Sequence, residues 1–211
     1  PVRKKILRVP LLLLLALLLF AGGYLLYIQL QYDRIADNTP LDIKNTSETL
    51  LQSGVSYTAL TWNIGFGAYD HDFSFFMDAG TMLDGTEVRG TMSRAQSKQI
   101  VLTNTQCALD LVRAQDADFC LLQEVDENAT RSFHINQKAF FEQAFPGYGS
   151  SFAYNFHSAY LLYPLREPHG SVEAGLLTFS RYRVDEAVRR SYPVNESFPT
   201  KFFDLDRCFS L

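Results

Sequence analysis

Two polar side chains interrupt apolar runs where chemistry could follow. Asn63 closes the run "TALTWN", and Glu124 follows "DFCLLQ" about sixty residues later. A carboxylate beside an amide suits a hard divalent cation such as Mg²⁺, which takes oxygen ligands, keeps several waters and is often held by one or two carboxylates plus a substrate phosphate. Taken singly, the asparagine is as well explained by a turn and the glutamate by a solvated surface acid. Together they say more, because neighbouring strands joined through a helix open on the same sheet edge, where ligands gather.

The elements that must position this pair follow from the sequence pattern. "SYTALTWNI" (56–64) is rich in β-branched and aromatic residues and predicts a strand. Residues 65–92 hold five glycines and no sustained period, which predicts a long loop. Ile100, Cys107, Ala108, Leu111 and Val112 recur at helical spacing and predict a helix over 93–115, followed by a strand over 117–123. A second helix over 135–145 is stopped by "PGYG". Short strands then follow in "SSFAYNF", "AYLLYP", "AGLLTFS", "VDEAVRRSYPV" and "DRCFSL". This β-α-β-α-β-β-β order predicts an α/β sandwich. With 211 residues, 47% of them hydrophobic and 20% charged, the chain can bury the core of one domain. A net charge of -4 gives no chain-wide basic footprint for long nucleic acids. Cys107, Cys120 and Cys208 lack metal or redox spacing and are expected to behave as small core residues.

From Val9 to Ile28 no residue is charged, and such a run spans about 30 Å as a helix, one bilayer core. Arg3, Lys4, Lys5 and Arg8 precede it, whereas the charges after it are mixed, so the positive-inside rule puts the N-terminus in the cytoplasm and the remainder outside. Tyr24, Tyr27 and Tyr32 fall where interfacial aromatics belong. A cleaved signal peptide, cut after small residues such as Ala21 and Gly23, is the competing reading, and both export the domain. The expected organisation is a basic cytoplasmic flank (1–8), a transmembrane signal-anchor helix (9–30), a polar tether containing Pro40 (31–54) and a domain (55–211).

"TWNIG" after an apolar strand, a helix, and then "DFCLLQEVD" resembles the opening of the endonuclease/exonuclease/phosphatase superfamily. The resemblance extends through "GLLTFSRYRV". It implies the DNase I-like four-layered α/β sandwich and hydrolysis of a phosphoester by water, with Mg²⁺ or Mn²⁺ as cofactor. It further implies that Glu124 is the metal-binding carboxylate and that Asn63 orients metal and phosphate. His157 in "YNFHSAY" and His169 in "REPHG" fall on the side where the superfamily places substrate contacts, although each serves equally as a structural histidine. Arg131 carries a fork suited to phosphate, or is a surface arginine on a loop.

The superfamily's Gly-Asp-X-Asn motif and late Asp-His pair do not occur in the sequence. The chain starts at Pro1 without methionine and stops in an apolar run, so the expectation is an N-terminal portion, inactive as it stands. Phe73, Phe75 and Phe76 in "YDHDFSFFMDAG" are expected to cover the core or line the pocket, or else to meet lipid. The partners implied are a bilayer and a phosphoester substrate, with no obligate protein partner. DNA, RNA, phospholipid and small phosphate esters all remain open as substrates. The function from a different class is a non-catalytic exported binding module.

Overall fold

The computed structural model describes residues 2–45 and 47–211, with side chains from residue 8 onward, in two units that divide between residues 33 and 34. The first unit is one helix, α1 (Val2–Leu30), whose segment Arg8–Leu30 is long and apolar enough to cross a membrane, or to serve as a signal sequence. Leucine on every side of it leaves no polar face, as suits a lipid-facing segment.

The second unit begins with two very short strands, β1 (Thr39–Pro40) and β2 (Ile43–Lys44), and continues through β3 (Ala59–Asn63) and a hairpin of β4 (Ala79–Thr81) and β5 (Glu87–Arg89). Then come α2 (Lys98–Gln115), β6 (Phe119–Ala129), α3 (Gln137–Ala144), β7 (Gly149–Leu161), β8 (Gly170–Ser180), β9 (Val188–Ser191) and β10 (Cys208–Ser210). The main sheet runs β2-β7-β8-β6-β3, with β3 and β6 parallel and the other pairs antiparallel. The parallel pair requires a crossover, which α2 supplies. Ser97 caps α2 by accepting a hydrogen bond from the Ile100 N–H at 3.2 Å, and Asp116 ends it in a left-handed conformation (φ 48°).

The helices cover one face of the main sheet. Leu109 and Val112 of α2 and Phe141 of α3 pack there with Cys120, Leu122, Phe152, Leu177 and Phe179. Along β8, Val172 and Ala174 fall on the opposite face from Leu177 and Phe179, since side chains alternate. They pack with Ala129, Phe156 and Leu205, on the side of a smaller sheet ordered β1-β9-β10. The architecture is mixed α/β and DNase I-like, in three layers; the fourth layer of the full sandwich is not among the described residues.

Several expectations change in detail. Residues 34–45, expected within the tether, contribute β1 and β2 to the two sheets, because Thr39 and Ile43 find antiparallel partners in Arg189 and Ser151. The long loop contains a hairpin that stands out from the body. Its residues are exposed on both faces, so burial writes no alternation into its sequence. The segments "SSFAYNF" and "AYLLYP" form one continuous strand, β7, paired along β8 past two irregularities in register.

Candidate active site

Asn63 ends β3 as expected, but Glu124 does not end its strand. Leu122 pairs with Leu177 and Val125 with Gly175, so β6 carries one residue more than β8 across this step. That is a bulge, which kinks a strand and re-aims a side chain. Glu124 takes up the excess at φ 54°, a left-handed conformation costing a side-chain-bearing residue about 1–2 kcal/mol. β6 then resumes pairing with β8 as far as Ala129. A polar residue within an apolar run thus marked a bulge.

The bulge brings the carboxylate beside the end of β3. Asn63 pairs in register with Gln123, and the next N–H, of Ile64, donates to the Gln123 carbonyl at 3.0 Å. Asn63 Nδ2 donates to Glu124 Oε1 at 2.9 Å, while Asn63 Oδ1 accepts the Gly65 N–H at 2.8 Å. The second bond fixes which way the amide faces, because only its oxygen can accept. Asn63 therefore presents a donor to the carboxylate and has one lone pair of its oxygen engaged by the backbone, an arrangement that suits orienting Glu124.

Gly65 is required at the turn that follows. Its φ is 56°, and a Cβ there would lie 2.5 Å from Tyr69 Cδ2. Gly65→Ala should cost about 1–3 kcal/mol through backbone strain and displace the Tyr69 ring. Urea denaturation of Gly65→Ala and of Gly65→Ala/Tyr69→Ala checks this: the double variant should recover the steric part and keep the strain, and equal stability of Gly65→Ala and wild type would refute it.

Tyr69 stands between two clefts that share Glu124. One, of about 440 Å³, lies beside α2 and is lined by Trp62, Asn63, Tyr69, Asn104 and Cys107 with Glu124. The other, of about 260 Å³, includes Tyr69, Asp78, Arg131, Asn155, Arg207 and Glu124. The Tyr69 hydroxyl donates to Asp78 Oδ2 at 2.9 Å. Burial first, then that bond and the nearby carboxylate charges, push the phenol well above its ordinary range, so it remains a donor at any physiological pH.

Arg131 is no surface arginine. It is 6% exposed, and its Nε and Nη2 donate to Asp126 Oδ2 and Oδ1 at 3.1 and 2.7 Å. Its guanidinium carbon lies 4.0 Å from the centre of the Phe66 ring. Nη1 makes no hydrogen bond among the described residues, so its two N–H groups remain for a ligand in the second cleft. The Asp126 N–H in turn donates to Gln137 Oε1, and Gln137 Nε2 to Thr105 Oγ1, tying the bulged strand to both helices.

The two candidate histidines separate. His157 is exposed on β7 opposite Glu173 and lines neither cleft. His169 is 2% exposed, its Nδ1–H donates to the Ser93 carbonyl at 3.0 Å, and its ring stacks on Phe156. It is a core histidine. Burial first, then the Arg131 charge, pull it down to about 4 from an ordinary 6.5. A base with its folded pKa depressed stabilises the fold fully above the unfolded value and loses that contribution as pH falls through the folded one. Stability should therefore fall by up to about 3 kcal/mol between pH 6.5 and 4. Denaturant midpoints across this window test it, and an equally steep fall in His169→Phe would refute the assignment.

Phe73 and Phe75 pack with Phe66, and Phe76 packs with His169 and Tyr163, so these aromatics cover the core. Sequence reasoning missed Tyr69, Asn155 and Arg207. The glycine pair at 65 and 67 was a local signal for Tyr69. Arg207 had none, since only the tertiary fold brings it to the cleft.

The model of the Endonuclease/Exonuclease/phosphatase family matches residues 60–205. The chain belongs to this family. No curated protein and no solved structure matches it. The endonuclease/exonuclease/phosphatase match takes in Asn63, Glu124 and Arg131 and stops just short of Arg207. Members of the family are generally hydrolases that depend on a divalent metal. The donor chemistry here fits a sparse site for such an ion. No group of three His, Cys, Asp or Glu residues converges among the described residues. Glu124 nonetheless offers an oriented carboxylate in a cleft that also contains Asp78, and a hard cation accepts one or two carboxylates when water and phosphate complete its shell.

Proposed function

We propose that the protein is a membrane-anchored, Mg²⁺-dependent phosphoester hydrolase, with its N-terminus cytoplasmic and its domain on the other side. The observation that carries the catalytic part is the strained bulge at Glu124. A side chain held at φ 54° persists only where its surroundings impose it, and here the result is a carboxylate aimed beside the Asn63 amide between two clefts. The ion, when bound, would stabilise negative charge on the phosphate and on the leaving oxygen. Glu124 would hold it, Asn63 would fix the carboxylate's orientation, and Tyr69, Asn155, Arg131 Nη1 and Arg207 would supply donors to the phosphate oxygens. The membrane part rests on the apolar stretch Arg8–Leu30 and the basic residues ahead of it.

A second reading, a binding module without catalysis, has its own observation. Among the described residues neither cleft is lined by a histidine, and the sequence contains no Gly-Asp-X-Asn. Mg²⁺ titration separates the two readings if binding and hydrolysis are followed together on the protein as its gene encodes it, with DNA, phospholipid and small phosphodiester substrates. Binding with Mg²⁺-dependent turnover supports the hydrolase, and binding without turnover on any substrate supports the module.

A further inference from the structure

Arg34 is the first residue of the folded unit and stands four positions after the end of α1. Its Nη1 lies 2.7 Å from Asp206 Oδ1 and 3.2 Å from the Leu205 carbonyl oxygen, and Asp206 is 4% exposed. Beside it Arg189, 1% exposed, donates through Nη2 to the Asp206 carbonyl at 2.7 Å and through Nη1 to the carbonyls of Ile35 and Ala36 at 3.1 and 3.2 Å. Two arginines thus tie residues 34–36 to residues 204–206. Between the 3-10 turn Thr200–Phe202 and β10, the tied segment has no regular structure of its own. Phe203, Leu205 and Arg207 from this segment line the second cleft together with Glu124 and Arg131.

We infer that Arg34 is a positioning residue for this cleft: by holding Asp206 and Leu205 it sets the wall that presents Arg207 to an anionic phosphate. The segment that follows the apolar helix is then part of the site's architecture. This rests on reading the second cleft as the place where the phosphate of a phosphoester sits. Arg207 is suited to that task because its side chain is 60% exposed and its nearest carboxylate, Asp204, is 3.8 Å away, a loose pairing that a phosphate can displace.

Limited trypsin digestion of the full chain in detergent with Mg²⁺, followed by mass spectrometry, tests the inference at two sites within the wall, Lys201 and Arg207. Arg34→Ala should raise initial cleavage there on the order of tenfold, the effect of a local opening made easier by one decade, without a matching rise at Arg183. Arg34→Lys, which can still reach Asp206, should restore most of the protection. Because Arg34→Ala orphans a buried carboxylate, Arg34→Met/Asp206→Asn removes both charges, and it should fold and still show the local rise. Inorganic phosphate should slow cleavage at Arg207 in wild type and not in Arg34→Ala. A uniform rise at all sites, no rise, or equal phosphate protection in both proteins would overturn the positioning role. A local rise without phosphate protection in wild type would keep the clasp and overturn the assignment of the cleft to phosphate.

Discussion

Glu124→Gln should fold as wild type does and lose most of its affinity for Mg²⁺, by more than the roughly 10- to 100-fold that an outer-shell change brings. The exchange alters charge with little change in volume, and the amide can still meet Asn63. What it removes is the anionic oxygen that a hard cation requires. Asn63→Ala should weaken metal binding by about 10- to 100-fold, because it frees the carboxylate to turn without removing it. Glu124→Gly supplies the sharper contrast. Glycine adopts φ 54° without strain, which offsets its greater freedom in the unfolded chain, so stability should hold or rise by up to about 1 kcal/mol while metal binding disappears. Stability and binding moving in opposite directions is the signature of a backbone strained for function. Mg²⁺ titrations with turnover, alongside urea denaturation, measure both quantities. Wild-type metal dependence in Glu124→Gln would end the case for this carboxylate.

The strands and helices around the site were legible because burial imprints a period on them. "TALTWN" and the α2 pattern each present one face to the helix-covered core, and the parallel pairing of β3 with β6 follows from the helix between them. Glu124 was legible for the opposite reason, as a polar residue where the period of Cys120 and Leu122 demanded an apolar one, and Asn63 as the polar residue that closes its run. What could not be read was geometry arising from pairing. Whether β6 stops or bulges at Glu124 depends on β8, fifty residues on, and no local preference encodes that register. The burial of Arg131 was not legible, because arginine is usually exposed, whereas here Asp126 and Phe66 together bury it. The tether reading failed on similar grounds. Two-residue strands such as β1 and β2 carry no pattern, and the arginines that bind residues 34–36 to the domain include one more than 150 positions away.

The largest loss of stability should come from separating Asp126 and Arg131. Asp126 is fully buried and Arg131 nearly so, and their two hydrogen bonds form a parallel fork. Asp126→Ala leaves a buried guanidinium with the faces of Phe66 and Phe156 for compensation, while Arg131→Met leaves a buried carboxylate with no side-chain partner among the described residues. Either change should cost about 3–5 kcal/mol, a large share of the 5–15 kcal/mol that holds a typical domain together. Removing both charges is a different matter. Asp126→Leu/Arg131→Met replaces an ion pair, whose desolvation penalty is of the same order as its attraction, with apolar contacts of similar volume. It should recover most of the loss. The pair also matters locally, since Asp126 lies two residues beyond Glu124 and its N–H is held by Gln137. Each single variant should therefore loosen the bulge and lower Mg²⁺ affinity along with stability, whereas the double variant should restore stability and, if Arg131 Nη1 contributes to phosphate binding, leave phosphate affinity low. Urea midpoints with Mg²⁺ and phosphate titrations on the three proteins decide this. Single variants within about 1 kcal/mol of wild type would mean that water reaches the pair and that it does not brace the site.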